Sequence, residues 1–267
     1  MKRITLLLGI SLILLSCGNK KKHKEDTTTT NTTLADSTSQ ITTPVAKQKL
    51  APDMYFKAQG TEPFWQITLS DKMIKLNILE DSIITPHTTP VKAQDANVKR
   101  YNLHTELAEM TITISYKECI NAMSGLSSPY SVTVDYKKGA DSTFTKLNGC
   151  GTYITDYRLH DIWVLETLHN ETVTTTDFKK KLPSIEINTT TNTFSGYAGC
   201  NTMRGALFYE KNLLRFTDII TTKMMCANNK ENDVIKALKS ATNYSIKNNR
   251  LHLFNPNEEL LVFKKID

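Results

Sequence analysis

The chain is predicted to be mainly β with an α+β C-terminal part, and three observations carry that expectation. Between Tyr55 and Gly151 apolar and β-branched residues recur at every second position, in runs broken by turn residues, as half-buried antiparallel strands require. Later, Glu231 to Ala241 places Val234, Ile235, Leu238 and Ala241 on one face at helical spacing. Four of the five cysteines fall as Cys119 with Cys150 and Cys200 with Cys226, one pair in each half. The expected architecture is an antiparallel β-barrel or sandwich, followed by an antiparallel sheet with one main helix. Either form of the first sheet shelters its strand edges.

At the N-terminus, Lys2 and Arg3 precede an apolar run from Ile4 to Leu15, too short to span a bilayer and suited to export. It ends in Leu14-Leu15-Ser16-Cys17, after which the chain turns polar at once. These four residues resemble the lipobox of bacterial lipoproteins. The resemblance implies removal of residues 1–16 as a signal peptide and a lipid anchor, palmitate included, on Cys17. The body would then sit in the periplasm or at the cell surface, and Gly18-Asn19 fits retention in an outer membrane. An ordinary signal peptide with an incidental cysteine is the alternative, though no small-x-small cleavage site follows.

Residues 17–49 are rich in Thr, Ser, Asn and Lys and poor in apolar residues. Such a composition buries too little surface to offset ordering entropy and predicts a flexible tether. The net charge of +6 is concentrated there: residues 1–50 hold eight basic and three acidic residues, leaving +1 for the other 217. No basic stripe marks the folded part, so nucleic acid is not an expected partner. Lys20-Lys21-Lys22 either meets anionic headgroups or solubilises the tether.

The remaining residues suit two parts, 50–155 and 156–267. In an oxidising compartment the four cysteines read as disulfides with three possible connectivities, of which pairing within each half is the expected one. No close Cys or His spacing points to structural zinc. Met203, Met224 and Met225 lie near Cys200 and Cys226 in sequence, a set that would suit Cu(I). Oxidised cysteines supply no thiolate, however, and methionine is an ordinary core filler. No metal or cofactor is expected.

In the first part, strands are predicted at Phe64 to Leu69, Met73 to Leu79, Met110 to Tyr116 and Tyr130 to Tyr136. Gly60-Thr61-Glu62-Pro63-Phe64-Trp65 leads into the first, Cys119 to Gly125 carries Met123-Ser124-Gly125, and Gly149-Cys150-Gly151 closes the region. These pieces resemble a family of uncharacterised bacterial envelope proteins over roughly residues 55–155, a family that brings no assigned reaction. Glu62 is either a functional carboxylate held by Pro63 or a turn residue. Trp65, Met123 and Ser124 join it as candidate binding residues.

In the second part, Ser195 to Asn201 predicts a Gly-rich turn. Ile220 to Cys226 leads to the helix, and Tyr244 to Ile246, Leu251 to Phe254 and Leu260 to Phe263 predict closing strands. An early Trp strand at Ile162 to Leu165, the Gly-x-x-Gly-Cys-Asn turn and the Thr-x-Met-x-Cys segment resemble the META (HslJ-like) domain over about 157–266, and the strand start that the resemblance implies before the turn is kept at Pro183-x-Ile185. The resemblance implies a small α+β module of exported proteins, associated with stress responses and without an established catalytic mechanism. Asn201 is its candidate binding residue.

No Gly-x-Ser-x-Gly elbow, phosphate loop or His-Glu-x-x-His helix is present, and the histidines are scattered. The sequence therefore points to a non-catalytic binding module in envelope maintenance or stress tolerance, with an envelope protein or small ligand as partner. Two rivals stand beside it. One is a periplasmic inhibitor of a cell-wall hydrolase such as lysozyme, docking through Met123 to Tyr130; the other is a structural scaffold.

Overall fold

The computed structural model describes residues 53–266 except 140, 179–180 and 227–229; the signal-like segment, Cys17 and the tether lie outside the described residues. Nine strands form the first sheet: β1 Met54–Thr61, β2 Phe64–Ser70, β3 Met73–Ile78, β4 Asp81–Pro86, β5 Val91–Lys92, β6 Val98–His104, β7 Ala108–Ile120, β8 Ser127–Lys138 and β9 Thr145–Tyr153. They pair antiparallel in the order β4-β3-β2-β1-β9-β8-β7-β6-β5. The expected alternation is what buries them. Trp65, Ile67 and Leu69 of β2, Ile74 and Leu76 of β3, Met110, Ile112 and Ile114 of β7, and Val132 and Val134 of β8 share one core. Because one cluster collects the inward side chains of strands across the sheet, the sheet curls around its own inner face.

The second sheet holds β10 Asp161–Leu168, β11 Glu171–Thr172, β12 Ser184–Asn188, β13 Thr193–Tyr197, β14 Thr202–Glu210, β15 Leu213–Thr221, β16 Asn243–Lys247, β17 Arg250–Phe254 and β18 Glu259–Lys265. Its order runs from β11 through β10 to β18, and β18 pairs back with β10, which closes β10 to β18 into a ring and leaves the two-residue β11 as its edge. Trp163 of β10 is 1% exposed and donates its indole N–H to the Leu159 carbonyl at 3.0 Å. The one α-helix among the described residues, α1 Glu231–Ser240, packs Val234, Ala237 and Leu238 into the same core, against β15 and β18. Glu231 and Asp233 in its first turn complement the helix dipole.

One local expectation is corrected. Ser195, Gly196 and Tyr197 are strand residues of β13, and the turn is confined to residues 198–201. A Cβ on Gly196 would collide with the Ser184 carbonyl of the neighbouring β12. This glycine therefore serves close strand approach and not chain reversal.

Two sheets do not make two separate bodies, since both lie in one compact unit, Gln48–Asp267. The tip of the β14–β15 hairpin, Glu210-Lys211, reaches into the first sheet's residues. Glu210 is 4% exposed and accepts hydrogen bonds from Tyr130 Oη at 2.5 Å, Lys99 Nζ at 2.6 Å and Asn97 Nδ2 at 2.7 Å. Burial pushes the Glu210 carboxyl up, but those three donors more than offset it and hold the group below its ordinary value. Lys211 lies 4.2 Å from the centroid of the Tyr55 ring and pairs with Asp71 at 2.8 Å. Phe208 meets Tyr116 edge-to-face at 5.6 Å. A charged and aromatic plug thus fastens the second sheet to the first.

Candidate functional site

The first site builds from the register of β1, β2 and β9. Inward residues Ala58, Ile67 and Leu76 are buried, so their neighbours Gln59, Gln66 and Asn77 point to the outer face. Gln59 lies opposite Gln66, and Gln66 opposite Asn77. Cys150 pairs with Gln59 across β1–β9 and shares that outer face. Its disulfide to Cys119, with Cα atoms 5.4 Å apart, reaches over β8. It thereby folds the tip of the β7–β8 hairpin onto the sheet's outer surface, where a bulge between Tyr116 and Cys119 breaks the ladder.

The result is a groove of about 280 Å³, floored by Lys57, Gln59, Gln66 and Thr152 and walled by Asn121, Ser124, Leu126 and Ser127. A second hollow of about 330 Å³ continues from Gln59 and Gln66 to Phe64, Asn77 and Leu79. The wall is shaped locally. Asn121 Oδ1 accepts from the main-chain N–H groups of Met123 and Ser124 at 3.0 and 2.9 Å, an Asx turn, and Gly125 follows at φ +67°. Met123 and Leu126 are 64% and 69% exposed.

Of the sequence candidates, Ser124 lines the groove and Trp65 the adjoining hollow, while Met123 and Glu62 line neither. Glu62 is an exposed turn residue between β1 and β2, joined to Pro63 by a cis peptide bond. Trp65 is 3% exposed, and its indole N–H donates to the Asn148 carbonyl of β9 at 3.2 Å. Gly60 explains the motif's first position, because a Cβ there would strike both that indole nitrogen and that carbonyl. Gly60→Ala is accordingly expected to cost about 1–3 kcal/mol through overpacking, read as a lower urea midpoint at unchanged slope. Tyr130, the last residue of the proposed docking loop, is buried against Glu210 and is not presented to a partner.

The second site centres on Asn201, 5% exposed at the end of the 198–201 turn. Its Nδ2 donates to Glu231 Oε1 at 2.8 Å and to the Met224 carbonyl at 3.3 Å. Its Oδ1 accepts from the Met224 N–H at 2.7 Å and from Thr222 Oγ1 at 2.8 Å. An amide offers two donors and two acceptors, so the side chain is fully engaged within the fold. Its main-chain N–H also donates to Glu231 Oε2 at 2.6 Å. Asn201 therefore ties three pieces together: the turn, the 222–226 segment and the start of α1. The Cys200–Cys226 disulfide, with Cα atoms 6.2 Å apart, pins the same junction.

Trp163, Cys200-Asn201, Thr222 to Cys226 and the helix all fall within the stretch that a family comparison picks out. Residues 157–267 match the META domain family. Within the matched region Met203 is core, 3% exposed, whereas Met224 and Met225 are 54% and 97% exposed. Among the described residues no three His, Cys, Asp or Glu side chains are grouped to hold a metal ion, and no helix is long and apolar enough to cross a membrane. The chain is similar to two proteins of NMR structure. One is 26% identical, over 40% of this chain and 90% of that one, with a TM-score of 0.33. The other, from Burkholderia xenovorans, is 21% identical over 40% of this chain and 82% of that one, with a TM-score of 0.34. No curated protein matches the chain.

What the sequence did not reveal is the row Gln59–Gln66–Asn77 and the plug residue Glu210. The three amides come from separate strands and meet only through register. Glu210 follows Tyr209 in an ordinary strand, and the nearest sequence signal is a carboxylate placed where a hairpin tip would need solvent.

Proposed function

We propose that the chain is a lipid-anchored, non-catalytic binding module of a bacterial envelope, serving envelope maintenance or stress tolerance. The observation that carries the binding part is the groove itself. A disulfide fixes its wall, neutral amides and hydroxyls line it, and Lys57 is its single charged group. General acid–base chemistry needs a positioned proton donor or acceptor of suitable pKa, and a lysine among neutral amides does not supply that pair. The anchoring part rests on Leu14-Leu15-Ser16-Cys17, and the two disulfides suit an oxidising compartment.

Intact mass of the protein purified from its native envelope tests this reading. The expected result is a diacyl or triacyl adduct on Cys17, with a mass gain on reduction that matches two disulfides. An unlipidated product, or free thiols at positions 119, 150, 200 and 226, would overturn the compartment assignment.

The exposed Met123 and Leu126 on a disulfide-fixed tip favour the hydrolase-inhibitor reading as the second choice. It requires that the full chain slow lysozyme on bacterial cell walls, and that the Met123→Ala/Leu126→Ala variant lose the effect. An unimpeded enzyme excludes it.

A further inference from the structure

We infer that the outer-face groove of the first sheet takes a neutral saccharide segment, an assignment that rests on the binding-module reading and names its ligand class. Gln59, Gln66 and Asn77 stand side by side on three adjacent strands, a floor roughly 10 Å across at the usual strand spacing. Among the described residues none of these three side-chain amides has a hydrogen-bond partner, in contrast to the saturated Asn201. Each offers two N–H donors and a two-lone-pair carbonyl. A sugar hydroxyl donates and accepts at once, so vicinal hydroxyls answer such a row group for group.

The surroundings select against other ligands. Lys57 is the single charged residue of the groove, and the adjoining hollow has none, whereas phosphate or carboxylate recognition relies on clustered cations. An extended peptide gains affinity chiefly by adding a strand to a free edge. That route is shut, because β1 is paired with β2 and β9, β2 with β1 and β3, and β3 with β2 and β4. At the end of the amide row Phe64 is 56% and Leu79 74% exposed. They form an apolar platform of the kind against which the C–H face of a pyranose ring packs. Amides for the hydroxyls and a ring for the C–H face together describe a saccharide better than either alone.

The test titrates the full-length protein, held in detergent, with two neutral probes, tetra-N-acetylglucosamine and maltohexaose, and follows binding by calorimetry. At least one probe is expected to bind, and Gln59→Ala/Gln66→Ala to weaken it tenfold or more. Phe64→Ala is expected to weaken it by a similar factor. All three substituted positions are exposed, so an unchanged near-ultraviolet circular dichroism spectrum shows that the fold survives. Failure of both probes to bind at millimolar concentration, or equal binding by the variants, overturns the saccharide assignment. Failure of the binding-module reading shows separately. A photo-crosslinker placed at Gln66 in native envelopes would then capture nothing, whereas a captured protein would leave that reading standing and remove the saccharide.

Discussion

Glu210→Ala is expected to cost about 3–5 kcal/mol of folding stability, the range for removing one partner of a buried ion pair. The substitution strands Lys99, whose side chain is 13% exposed beside it, and removes the acceptor of Tyr130 and Asn97. Since Lys99 and Tyr130 lie in the first sheet, Asn97 in the turn that leads into β6, and Glu210 in the second sheet, the loss falls on the join between them. Urea unfolding should show the drop, and for the wild type a single transition followed by either tryptophan, Trp65 or Trp163. A loss below about 1 kcal/mol would place the pair among surface salt bridges and contradict a buried plug.

The same carboxylate gives a pH dependence of known sign. Its folded pKa lies below the ordinary value of 4.5, with burial opposing the shift and the hydrogen bonds from Lys99, Tyr130 and Asn97 producing it. The unfolded state therefore binds its proton first as pH falls. The contribution is fully present above about pH 4.5 and is lost as pH drops through the folded value. Stability of wild type should thus fall more steeply in that acid window than that of Glu210→Gln, measured as urea midpoints at each pH.

The second large effect belongs to the disulfide at the groove. Cys119→Ser/Cys150→Ser is expected to cost about 3–4 kcal/mol in the chain-entropy model, given a sequence separation of 31 residues. The loss should be local as well as global. Hydrogen exchange at residues 119–128 would speed up more than exchange in β2 or β3, since the hairpin tip is held to the sheet's outer face by this bond. The Cys200→Ser/Cys226→Ser variant, with a separation of 26, should lose a similar total while leaving that hairpin protected. Equal exchange at 119–128 in wild type and in Cys119→Ser/Cys150→Ser would mean that the wall stands without its staple.

Much of the secondary structure was legible. β2, β3, β7 and β8 follow from strict alternation, and α1 from its helical stripe, because each buries its apolar face in a single direction. Where alternation is weak the strands were missed. β6 opens with Val98-Lys99-Arg100 and fully buries only Tyr101 and Leu103. β14 is interrupted by a bulge between Arg204 and Ala206 beside Gly205, so its period slips midway. Within the site, the Gly60 to Trp65 motif was visible as a motif, but its inward role was not. Trp65 fills space against Asn148, and the usable surface lies on residues of the opposite parity.

By itself, then, the sequence determined the β class, the helical segment that begins at Glu231, the lipobox-like start and one cysteine pair in each half, all of which depend on composition or on spacing along the chain. Tertiary structure alone decided which faces meet. The alignment of Gln59 with Gln66 and Asn77, the return of β18 to β10, and the burial of Glu210 among Lys99, Tyr130 and Asn97 all join residues far apart in the chain. No local period encodes such contacts, because strand register is set by the summed packing of the whole sheet.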